Sequence, residues 1–148
     1  MIALLAFGLA AMSACLAIQV LASLGAVLYF ARAAERPLGP KPRRAILLLF
    51  SALMIVLMLG NILQVAFWAV CYVALGALED LETAVYFSGV TFTSLGYGDV
   101  VLKGRLRLLA PLQAANGLMM FGITTAVFIA AVQQTIARWS AHQLPHAR

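Results

Sequence analysis

The chain has 148 residues, of which 64% are hydrophobic and 10% charged, and its mean hydropathy is +1.00. No water-soluble surface can be assembled from that composition, so the chain belongs in a bilayer and a soluble globular enzyme or binding module is excluded. The net charge of +5 sits in loops and tail, where membrane topology accounts for it and no nucleic-acid partner is expected.

Three apolar runs, 2–31, 45–78 and 108–137, are long enough to span. At about 1.5 Å per residue each reaches roughly 45 Å, against a hydrocarbon core of about 30 Å. The first run lacks a basic leader and is too long for a signal peptide. It also lacks the regularly spaced Arg or Lys of a voltage sensor. With Ser13, Gln19, Ser23 and several small residues it reads as a peripheral helix packed on a neighbour, its purpose open. Cys15 and Cys71 fall inside spans and read as small buried hydrophobes. Segment 32–44, with Pro37, Gly39, Pro40 and Pro42, reads as a linker that cannot continue a helix.

Asn61 and Gln64 sit one turn apart in the second span, a pattern expected to form hydrogen bonds between helices. A fourth apolar run, 81–94, is too short to cross and predicts a re-entrant half-helix. Asp80 is placed to cap it and Glu82 to favour its N-terminus. Basic residues crowd the first linker (Arg32, Arg36, Lys41, Arg43, Arg44) and the tail (Arg138, Arg148), which places both in the cytoplasm and the N-terminus outside. Lys103, Arg105 and Arg107 fall on the outer side against this majority. In the tail 138–148, Trp139 beside Arg138 has the pattern of an interfacial anchor, and His142 and His146 carry the side chain able to change charge near neutral pH, which leaves pH sensing open.

Residues Thr91–Asp99 read Thr-Phe-Thr-Ser-Leu-Gly-Tyr-Gly-Asp. Glycines at alternate positions let the backbone alternate between left- and right-handed dihedrals, which aims successive carbonyls one way. The stretch resembles the filter of the potassium channel superfamily, whose consensus is Thr-Val-Gly-Tyr-Gly-Asp. Ser94 stands for the usual Thr and Leu95 for the usual Val or Ile. The resemblance covers about 45–137 and implies an outer helix 45–78, a pore helix 81–94, a filter 94–99 and an inner helix 105–137. It implies K+ held by Ser94, Leu95, Gly96 and Tyr97, with Gly98 completing the strand. Tyr86 matches the aromatic that braces the filter's closing carboxylate, Asp99, while the Glu used by some relatives is replaced by Val90. No Pro follows Asp99, and Gly104-Arg105-Leu106 resembles the opening of the family's inner helix. Gly117 and Gly122 match its hinge region, with close helix packing the equal alternative. Thr124, Thr125 and Phe128 follow as candidates to line the cavity or inner gate, and Pro111 as a kink. Around a symmetric mouth, Glu79, Asp80 and Glu82 would also concentrate cations, a role as open as plain capping.

The expected fold is thus an all-α membrane protein. It has three transmembrane helices, the first an addition to the pore module, plus a re-entrant pore helix and a selectivity-filter loop, assembled as a fourfold homotetramer. The expected function is a potassium-selective channel conducting K+ passively among membrane lipids. The alternatives are a weakly selective channel for monovalent cations and a non-conducting accessory subunit. No HExxH or GxSxG occurs and no acid lies at membrane depth, so an enzyme is not expected. A bacterial inner membrane is the expected location.

Overall fold

The structure, a computed structural model, describes residues 1–34 and 42–143. Four α-helices follow one another, α1 (Ile2–Ala34), α2 (Pro42–Ala74), α3 (Leu81–Phe92) and α4 (Leu109–Gln143), with a short 3-10 helix at Gly104–Leu108. Among the described residues there is no strand. Three stretches, Ile2–Arg32, Arg44–Ala74 and Gly104–Ala137, are long and apolar enough to cross a bilayer, and the protein is an integral membrane protein. The side chains of Trp139, His142 and His146 fall outside the described residues.

The helix ends depart from the sequence expectation for local reasons. α1 runs on through the strong helix formers Ala33 and Ala34, and α2 starts at Pro42, whose fixed φ suits a first helical position. The helices therefore encroach on both ends of the expected 32–44 linker. α2 stops at Ala74, not 78, because Gly76 turns left-handed (φ 64°). Its N–H donates to Val73 O at 2.9 Å and that of Ala77 to Tyr72 O at 2.9 Å, the paired bonds of a Schellman ending. α3 ends two residues early by the same device. Ser94 takes the left-handed position (φ 60°), Ser94 N–H donates to Thr91 O at 3.0 Å, and Leu95 N–H to Val90 O at 3.0 Å. At its other end the expected cap is present: Thr83 N–H donates to Asp80 Oδ1 at 2.7 Å. That bond holds the Asp80 carboxyl below the usual carboxylate range. Pro111 lies in the first turn of α4, where its missing N–H forfeits no helical bond, so it opens the helix instead of kinking it.

α1 packs on its neighbours by one face, as expected, and leaves the other exposed. It packs on both α2 and α4, along a buried face of Gly8, Ala11, Cys15, Gln19, Ser23, Ala26 and Phe30, spaced three or four apart. Small residues set the fit: a Cβ on Gly8 would lie 2.5 Å from Leu112 Cδ1, and one on Gly60 3.1 Å from Ala22 Cβ. At one end Ala11 and Cys15 join a core with Trp68, Tyr72, Phe87, Leu102 and Leu109. At the other, Ala26 and Phe30 pack with Leu53, Leu57 and Ala131, and the Phe50 ring lies 5.5 Å from Phe30 and 5.6 Å from Phe128. The start of α1 and the loop after α3 therefore share one end of the bundle.

α3 inserts between α2 and α4. Its last residue meets Gly117 so closely that a Cβ there would overlap the Phe92 carbonyl oxygen and lie 2.8 Å from its carbon. Gly122, by contrast, has nothing within 4 Å of a Cβ. Close packing is thus the geometry at Gly117, while Gly122 has space. Gly117→Ala is expected to destabilise the protein by about 1–3 kcal/mol through overpacking of backbone on backbone. Gly122→Ala is expected to be neutral or stabilising by up to about 1 kcal/mol. Melting temperatures of the two variants in detergent check both.

Candidate functional site

The site begins with how a twelve-residue helix is held at membrane depth. Gln113 of α4 is fully buried and reaches α3 with its amide, donating to Ser88 Oγ at 2.6 Å and to Ser88 O at 3.2 Å. Its carbonyl accepts from the Tyr72 hydroxyl at 2.6 Å, and Ser88 Oγ donates onward to Val65 O at 2.7 Å. One chain of hydrogen bonds thus joins α2, α3 and α4, and the Tyr72 ring stands edge-on to Phe87 at 5.2 Å. Since Phe92 abuts Gly117, near the middle of the Gly104–Ala137 span, α3 descends to about the midplane and turns back there.

The returning segment, Ser94 to Asp99, carries the residues singled out from the sequence. Positive φ recurs at alternate positions, 60° at Ser94, 57° at Gly96 and 80° at Gly98, whereas Leu95 and Tyr97 have none. Ser94 was not foreseen in this role; a hydroxyl residue in the left-handed region carries a strain of about 1–2 kcal/mol. All six residues are exposed on the single chain, Leu95 at 57% and Tyr97 at 69%. Behind them lies a groove of about 340 Å³, lined by Tyr86, Val90, Pro111 and Ala114 among others.

The structure brings Tyr86 and Asp99 together: the phenol donates to Asp99 Oδ2 at 2.6 Å. It tethers the far end of the segment to α3, whose Ser94 turn anchors the near end. Gly117 supports the site through its contact with Phe92, and Gly122 lies away from it on α4. Thr124, a candidate for the cavity wall, instead accepts from Gln19 Nε2 (3.0 Å) and Asn61 Nδ2 (3.3 Å). Gln113, Ser88 and Tyr72 were missed by sequence reasoning. The available signal was the one that singled out Asn61 and Gln64, a polar side chain inside an apolar run.

Two spanning helices bracketing a half-helix and a glycine-alternating return strand define a membrane pore module. The sequence profile of the ion channel family matches residues 45–134, from the start of α2 to most of α4, and the chain belongs to that family. α1 precedes the matched region. No curated protein and no solved structure matches the chain.

The Tyr86 hydroxyl holds the Asp99 carboxyl below its ordinary 3.8, and Asp99 in turn raises the Tyr86 phenol above its ordinary 10.0. A depressed carboxyl contributes stability that is complete above its unfolded value and lost as pH falls through the folded one. A raised phenol contributes stability that is lost only as pH rises through its folded value. The tether is therefore complete between those two ordinary values and fails first on acidification below 3.8. In Tyr86→Phe the Asp99 carboxyl should titrate at higher pH than in the wild type, a shift read directly from its carbon-13 resonance.

Proposed function

We propose that the protein is a potassium-selective channel, in which four copies each contribute one strand of Ser94, Leu95, Gly96, Tyr97 and Gly98 to a central filter. The observation that carries this reading is the positive φ at positions 94, 96 and 98. A backbone that alternates handedness stacks its carbonyls along one side, and a ring of such stacks replaces the hydration shell of K+. One chain supplies one stack, so the ring requires rotational symmetry. The exposed Leu95 and Tyr97 are the side chains that the neighbouring copies would cover.

Asp99 and Tyr86 brace the strand from outside, and Gly122, with open space around it, is the remaining hinge candidate of the inner helix α4. The C-terminal end of α3, directed to mid-depth, puts the negative end of its dipole where a cation crosses the low-dielectric region. Seven basic residues lie toward the loop between α1 and α2 and the tail, against Lys103, Arg105 and Arg107 at the filter end, which favours a cytoplasmic C-terminus and an outer N-terminus. The proposed location is a bacterial inner membrane, with lipids around the homotetramer.

Ion efflux from liposomes tests the reading. K+ efflux is expected to exceed Na+ efflux and to fall to background in Gly96→Asp, where a charged side chain is forced onto a left-handed residue. Equal K+ and Na+ efflux would instead establish a weakly selective cation channel and point to Ser94 and Leu95 as the departures responsible. Absence of both fluxes across pH and voltage would favour an accessory subunit.

A further inference from the structure

α1 lies outside the matched family region, yet it holds a buried amide against α4. Gln19 is fully buried near the middle of the Ile2–Arg32 span. Its Nε2 donates to Thr124 Oγ1 at 3.0 Å, and its Oε1 accepts from Gln64 Nε2 at 2.8 Å. Asn61 Nδ2 also donates to Thr124 Oγ1, at 3.3 Å, and the threonine hydroxyl donates to Met120 O at 2.9 Å. Gly60 makes room: a Cβ there would lie 3.1 Å from Gln19 Oε1. Three helices thus converge on one hydroxyl.

The position of that hydroxyl matters. Thr124 follows Gly122 by two residues, and Gly122 has space around it. Beyond Thr124, Val127, Phe128 and Ala131 pack against Ala26, Phe30, Leu53 and Leu57. Any bend at Gly122 that draws the second half of α4 away from the bundle must break both amide bonds to Thr124.

We propose that α1 is a latch on the second half of α4, with Gln19 as the positioning residue that holds Thr124 and so biases the bend at Gly122. Its effect on conduction rests on the reading of α4 as the pore-lining helix. A hydrogen bond between helices in lipid corresponds to about a threefold to tenfold change in a conformational equilibrium.

The test uses the full chain in lipid nanodiscs and hydrogen exchange of backbone amides, with Gln19→Leu, Thr124→Val, the double variant and Thr124→Ser. Exchange over 123–137 is expected to accelerate threefold to tenfold in Gln19→Leu, at least as much in Thr124→Val, which also loses the Asn61 bond, and no further in the double variant than in Thr124→Val. It should stay at the wild-type rate in Thr124→Ser, which keeps the hydroxyl, and exchange over 81–92 should not change. Unaltered exchange over 123–137, a double variant that exchanges faster than Thr124→Val, or equal acceleration over 81–92 would overturn the latch. In liposomes, Gln19→Leu should change the ion efflux rate by a similar factor, and an unchanged rate would overturn its role in gating. If the wild type itself passes no ions, the channel reading fails while exchange still decides the latch.

Discussion

A twelve-residue helix is too short to cross a bilayer on its own and has to be tied at its depth by side chains from the spanning helices. The Tyr72–Gln113–Ser88 hydrogen-bond chain is that tie. It fixes α3 against both spanning helices of the pore module, and through α3 it fixes both anchors of the 94–99 segment, the Ser94 turn and the Tyr86–Asp99 bond. Removing the Gln113 amide would leave Ser88 without its α4 donor and Tyr72 without its acceptor. The packing of Phe92 on Gly117 then sets how deep the helix goes.

Two polar layers divide the bundle. The layer around Gln113 serves the end that carries the 94–99 segment, and the layer around Gln19, Gln64, Asn61 and Thr124 lies near the middle of the spans. Gly117 belongs to the first and Gly122 lies at the edge of the second, which separates two glycines that look equivalent in sequence. One is filled by a neighbouring backbone, and the other is open. Cores of Leu, Ala and Phe provide area but little direction in lipid, so these hydrogen bonds are what make the arrangement of helices specific.

Much of this was legible from the chain alone. The spans follow from apolar run length, the cap from an Asp ahead of an apolar segment, and the Tyr86–Asp99 pair from the family resemblance around Gly96-Tyr97-Gly98-Asp99. The positive φ at Gly96 and Gly98 follows from glycine chemistry, whereas that at Ser94 does not, since a Schellman ending with a non-glycine residue leaves no compositional mark. The end of α2 was readable from Gly76, where apolar continuity through Leu78 concealed it. The seat of α1 was half legible: small residues recur three or four apart, but whether that face meets α2 alone or α2 and α4 together depends on where the pore module leaves a groove.

The shared helix ending at Ser94 also fixes where insertions are tolerated. The return segment is counted from the Val90 carbonyl, so one residue added to or removed from 87–92 would swing it by about 100° around the helix axis relative to Tyr86 and take Asp99 out of that phenol's reach. The stretch between Gly76 and Asp80 carries no such phase relation and lies outside the helices it joins. Length variation is therefore excluded between Tyr86 and the Ser94 turn, which makes the second half of α3 a metered segment, whereas residues between Gly76 and Asp80 set no phase between Tyr86 and Asp99.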